Sequence, residues 1–121
     1  MNRAPSVLSA CAGLMGAAGV ALAAAAVHEN GGEFARTGAL FLLIHAAACL
    51  AVATHARATA SRAMLVAGFV LAAGATLFAA DLAKSAFLGG RLFPMAAPIG
   101  GSTMLLGWLA LAAVFVLRAR D

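Results

Sequence analysis

This chain of 121 residues is poor in almost everything from which a water-exposed surface is made. Only 10% of its residues are charged, 7% are aromatic, and tyrosine is absent. A soluble domain carries about 25% charged residues, and wrapping one compact core takes polar surface that this chain lacks. Disorder is excluded from the opposite side, because disordered chains are charged and poor in apolar residues. Cysteine is limited to Cys11 and Cys49, both inside apolar runs, so a disulfide framework is not expected and free buried thiols are.

What is present is apolar: 64% of the chain, including 35 alanines, with 13 glycines besides. The net charge of +4 would suggest nucleic acid if the eight Lys/Arg clustered on one face. They are instead scattered over termini and connections, as flanks of membrane spans are, and no nucleic-acid partner is expected.

A spanning helix needs about 20 mostly apolar residues, and four runs qualify. Residues 6–27 hold 22 residues without a charge, 38–54 hold 17 interrupted only by His45, 63–82 hold 20 ending at Asp81, and 97–117 hold 21. Such runs satisfy their backbone groups in lipid as helices. The intervening links of ten, eight and fourteen residues are short enough to force neighbouring helices antiparallel. The predicted fold is an all-α membrane protein, an up-down-up-down bundle of four transmembrane helices, with residues 1–121 as a single integral membrane domain. Pro98 and the Gly100–Gly101 pair are expected to shorten the fourth helix.

The first run could also be read as a removable signal peptide, given Arg3 and the alanines before His28. Its 22 residues exceed an apolar signal core of about 7–15. Leu8-Ser9-Ala10-Cys11 looks like a lipoprotein cleavage box, but few apolar residues precede it. A retained helix is the expectation. Counting Lys/Arg near span ends puts Arg3, Arg57, Arg62, Arg118 and Arg120 on one side and Arg36, Lys84 and Arg91 on the other. By the positive-inside rule both termini face the cytoplasm, in a bacterial inner membrane.

Small residues let helices approach closely in lipid, where no hydrophobic drive pulls them together. Gly13, Gly16 and Gly19 form a ridge on the first helix, and Gly68, Gly74, Gly101 and Gly107 serve the third and fourth. No two glycines stand four apart, so a strict GxxxG dimer motif is absent. An intramolecular bundle fits these residues at least as well as a dimer.

The ionisable residues at membrane depth are the informative ones. His45 falls seven residues into the second span, about 10 Å deep, and Trp108 falls at a similar depth in the fourth. An indole N–H needs a partner when buried and a neutral imidazole offers one acceptor. The sequence therefore predicts a His45–Trp108 hydrogen bond, or one of the two bonding a carbonyl across the interface. His45 reads either as a neutral packed histidine or as a proton or ligand site. Asp81 and Lys84, three apart, read as an interfacial ion pair. Residues 97–102 enter the fourth helix on the same side, where free N–H groups could hold an anion or the Asp81 carboxylate. His28, His45, Asp81, Lys84, Pro98, Gly100, Gly101 and Trp108 are thus expected to converge on the half-bundle opposite the termini.

Three chemistries fail on spacing. Bis-histidine haem needs two histidines at matching depth, whereas His28, His45 and His55 lie at three different levels. Zinc needs three or four convergent ligands, which no spacing supplies. A proton-coupled exporter would show a deep carboxylate, and every acidic residue lies at a span end. No cofactor, metal or catalytic constellation is expected.

The run APIGGSTMLLGWLALAAVF resembles the Pro-x-Gly-Gly and Gly-Trp signature of the domain of unknown function 423 family. HAAACL from His45 and LFAADLAKSAFLGGRLFPM after the third span also look like that family, whose members are YgdD-like and transmembrane protein 256-like. Around the first histidine the family usually has Gly-Ala-His-Gly, where this chain has Ala-Val-His28-Glu29. The resemblance implies a small four-helix integral membrane protein without assigned activity. The leading expectation is a non-enzymatic accessory or structural subunit, partnered by the bilayer and by a larger membrane complex or by itself. A small carrier or channel using His45 and the polar cluster is the alternative, and a redox or lipid-modifying subunit a third.

Overall fold

The computed structural model describes residues 2–120. It contains four helices: α1 (Ala4–His28), α2 (Gly32–Thr59), α3 (Arg62–Phe87) and α4 (Ala96–Arg118). All four are long and apolar enough to cross a membrane. Number, order and the antiparallel bundle agree with the sequence. The limits do not: α2 begins six residues before Gly38 and ends five after Thr54, and α3 runs five past Leu82. Hydropathy marks only the apolar stretch, whereas helical hydrogen bonding continues through Glu33, Arg36, His55 and Arg57. The connections are accordingly tighter than expected, at residues 29–31, 60–61 and 88–95.

Local chemistry sets these ends. Pro5 lies in the first turn of α1, where a missing N–H costs no helical bond. Ala60 closes α2 in the left-handed conformation (φ 52°), and Ser61 immediately caps α3 by accepting from the Met64 N–H at 3.3 Å. Pro98 and the glycine pair do not shorten α4. Pro98 is the third residue of a helix that starts at Ala96 after a left-handed Met95, and the helix runs on through Gly100 and Gly101.

α2 and α3 pack together at the middle of the bundle, α1 packs mainly against α2 and also touches α3, and α4 packs against α3. The Cα atoms of α4 stay more than 8 Å from those of both α1 and α2. Leu8, Cys49, Met64 and Leu71 are fully enclosed at the centre.

The α3–α4 contact depends on two glycines. A Cβ on Gly74 would lie 2.8 Å from the Met104 nitrogen and 2.9 Å from the Gly100 oxygen. One on Gly100 would lie 2.7 Å from the Phe78 nitrogen and 2.9 Å from the Gly74 oxygen. The helices therefore touch backbone to backbone, collecting many dispersion contacts of about 0.1–0.2 kcal/mol each, which is how helices associate in lipid.

Candidate functional site

His45 sits thirteen residues past Gly32, about 20 Å along α2 at 1.5 Å per residue. That is the middle of the helix, and it lies within one residue of the midpoint of the apolar run 38–54. Trp108 lies twelve residues past Ala96, at the middle of α4. Both helices start from the same face, so the two side chains meet level. The Trp108 Nε1–H donates to His45 Nε2 at 3.0 Å, which is the first of the two arrangements expected from sequence.

The remaining ring nitrogen is also engaged. His45 Nδ1 lies 2.7 Å from the Phe41 carbonyl oxygen, one helical turn back. An indole N–H can only donate, so Nε2 must accept; a carbonyl can only accept, so Nδ1 carries the hydrogen. The geometry thus fixes one neutral tautomer. His45 is 4% exposed, while Trp108 is 43% exposed and covers the imidazole from the lipid side.

Aromatic rings extend this pair across the bundle. Phe41 stacks on His45 with centroids 6.0 Å apart, and Phe78 of α3 tilts against Phe41 at 4.9 Å. The series Phe78, Phe41, His45, Trp108 links α3, α2 and α4. It matters because the α2 and α4 backbones never come within 8 Å between their Cα atoms. Nearer the termini, His55 against Phe115 (centroids 5.4 Å) and Arg118 donating to the Thr59 carbonyl at 3.4 Å make further α2–α4 contacts.

The expected convergence of polar residues does not occur. Asp81 is fully buried, and its partner is not Lys84. One carboxylate oxygen accepts from the Leu92 backbone N–H at 2.8 Å and the other from Arg91 Nη1 at 3.1 Å. Lys84 points its ammonium at the Gly89 carbonyl (2.8 Å), and Ser85 donates to the Gly90 carbonyl (2.9 Å). Three side chains of one helical stretch therefore tie down the α3–α4 connection. The carboxylate also does not cap α4, because the N–H it takes belongs to Leu92, four residues before the helix begins.

His28 is exposed in the last turn of α1. Glu33 pairs instead with Arg36, three residues on, at 3.6 Å and in the open. Gly100 serves the α3 contact, whereas Gly101 has open space where a Cβ would stand. The eight residues divide among a mid-bundle pair (His45, Trp108), a loop clamp (Asp81, Lys84), a helix contact (Gly100) and three with no shared site (His28, Pro98, Gly101). Sequence reasoning missed Arg91 and Leu92 as the partners of Asp81. An acid ten residues before an arginine that follows Gly89–Gly90 was the available signal for the clamp.

Cys49 is buried with its Sγ 3.5 Å from the Gly68 carbonyl, and Cys11 lines an open apolar groove of about 730 Å³ between α1 and α3. Among the described residues no group of three His, Cys, Asp or Glu could hold a metal ion. No buried side-chain nitrogen or oxygen among them lacks a hydrogen-bond partner.

A model of the family described as Protein of unknown function (DUF423) matches residues 15–101. The match takes in His45, Asp81 and the whole α3–α4 connection, and ends seven residues before Trp108. No solved structure matches the chain.

Proposed function

The chain belongs to the DUF423 family of proteins of unknown function, and from that premise we propose that it is a non-enzymatic accessory or structural subunit of the membrane. Both termini face the cytoplasm of a bacterial inner membrane in this reading. Its task is to present a stable four-helix surface to the bilayer and to a larger membrane complex or a second copy.

The observation that supports this reading is the closed bonding of His45. A histidine that relays protons needs a nitrogen free to take one, or water to exchange with. Here Trp108 occupies Nε2 and the Phe41 carbonyl occupies Nδ1, with phenyl rings beyond. A half-satisfied polar group in a bundle is costly, while a fully satisfied one fixes helix positions. The carrier or channel alternative would need the pair to open, and no feature of this geometry favours that.

Proteoliposomes containing the full chain and a pH-sensitive dye provide the test. Under an imposed pH gradient the reading expects leak equal to empty liposomes, unchanged in His45→Asn. A flux abolished by His45→Asn would contradict it. Extraction in mild detergent is expected to return the protein in an assembly larger than one copy with its lipid.

A further inference from the structure

Residues 88–95 are unusual for a connection. Four of the eight are large and apolar, and all four are exposed: Leu88 (81%), Leu92, Phe93 and Met95. An apolar loop that could fold inward usually does, but this one is held out. Asp81, Lys84 and Ser85 bond its backbone or its arginine at four points. Exposed apolar surface held in place marks an interaction site.

Depth identifies what the loop meets. The apolar stretch of α3 ends near Leu82, so Leu88 stands six residues higher, about 9 Å at 1.5 Å per residue. The chain then returns to Ala96, at the start of the α4 span. The polar layer of a bilayer is about 5–8 Å thick on each side of a hydrocarbon core of about 30 Å. Leu88 thus stands at the outer limit of the headgroup layer, and the chain from it to Met95 descends through that layer, with Phe93 and Met95 nearest the acyl chains. The cations are placed to match. Arg91 commits one of its five donors to Asp81, and Lys84 one of three to Gly89, which leaves donors for lipid phosphate. The other turn on this face, residues 29–31, lies at the same height, since the Phe87 ring packs where a Gly31 Cβ would stand. It consists of Glu29, Asn30 and Gly31, with no large apolar residue of its own; exposed Val27 and Phe34 stand on the helices either side of it.

We propose that the α3–α4 connection is a lipid-docking surface. It lies in the phospholipid headgroup layer, with Lys84 and Arg91 on phosphate and Leu92, Phe93 and Met95 against the upper acyl chains. The clamp on Asp81 keeps it in that plane, and the bundle is anchored asymmetrically, at its α3–α4 corner.

The full chain is reconstituted in phosphatidylcholine–phosphatidylglycerol vesicles with Phe93→Trp. Its emission is read as the difference from wild type, whose only tryptophan is Trp108. The expected result is several-fold weaker acrylamide quenching than for free tryptophan, together with strong quenching by lipids brominated high on the acyl chain. Acrylamide access equal to free tryptophan would overturn the proposal, leaving the loop in water for a protein partner. Protection from both quenchers would also overturn it, because protein would then cover the loop. The unmodified chain in nanodiscs provides a second reading should the variant fold poorly. Lipid carrying a spin label near the carbonyl is expected to broaden the Phe93 and Met95 amides much more than those of Asn30 and Gly31. Equal broadening at the two corners would refute the asymmetry.

Discussion

Trp108 donates its indole hydrogen to His45 Nε2 across 3.0 Å, midway along both helices, and so joins two helices whose backbones do not touch. In lipid such a bond is worth less than intuition suggests, because an unfolded chain in the membrane also finds partners. Membrane double-mutant cycles average about 0.6 kcal/mol and reach about 1.7. Equilibrium unfolding in mixed micelles of wild type, His45→Leu, Trp108→Phe and the double variant is expected to give a coupling in that range. The Trp108→Phe single variant should lose more, roughly 1–3 kcal/mol, since it strands a buried acceptor. Additive single effects would show that the bond contributes nothing.

Two adjacent glycines of α4 should behave oppositely. Gly100→Ala drives a methyl to 2.7 Å from the Phe78 backbone nitrogen, and backbone cannot yield as a side chain can. It is expected to cost at least about 1–3 kcal/mol, the usual penalty of overpacking. Gly101→Ala meets open space and should be neutral or stabilising by up to about 1 kcal/mol through helix propensity. Equal effects at the two sites in the same unfolding assay would contradict the backbone contact.

The clamp on the α3–α4 connection depends on Asp81. Asp81→Ala leaves the Leu92 N–H and the Arg91 guanidinium without their shared acceptor, and it is expected to cost about 1–3 kcal/mol locally. Trypsin added to the α3–α4 side of reconstituted protein should then cut after Arg91 much faster than in wild type. Lys84→Gln, which loses one exposed bond to a carbonyl, should change that rate little. Similar rates for Asp81→Ala and wild type would mean that the carboxylate does not hold the loop.

Composition made the four helices legible, because apolar runs of membrane length have few other solutions. The ends of α2 were not legible. Hydropathy locates the hydrocarbon edges at Gly38 and Thr54, but the helix runs from Gly32 to Thr59 on polar residues, and His45 stands at the middle by either count. The His45–Trp108 bond could be anticipated because one donor-only and one acceptor group were stranded at comparable depth. The Asp81 partner could not. Neighbour rules on a helix favour Lys84, three residues on, whereas the actual partners come from a loop whose path follows from Gly89 and Gly90 in positive-φ conformations. The predicted gathering of polar residues assumed that sharing a membrane side means sharing a site. His28 and Asp81 lie on the same side but belong to different corners of the bundle.

The side assignment has its own check. Reporters of cytoplasmic location fused to either terminus are expected to be active, and a cysteine placed at Gly90 should react with an impermeant thiol reagent from outside intact cells. Cys49, fully buried, should stay unlabelled in the same experiment. Activity at only one terminus would break the four-span topology, and labelling of Gly90→Cys only after lysis would invert the orientation.

The central claim is that His45 is a closed structural link held in one tautomer. Nitrogen-15 spectra of the histidine side chains in the reconstituted protein, assigned by comparison with His45→Asn, test it most directly. The account predicts that His45 shows a protonated Nδ1 and an unprotonated, hydrogen-bonded Nε2 at neutral pH. A doubly protonated ring, or one carrying its hydrogen on Nε2, is incompatible with the Trp108 bond and would contradict the account.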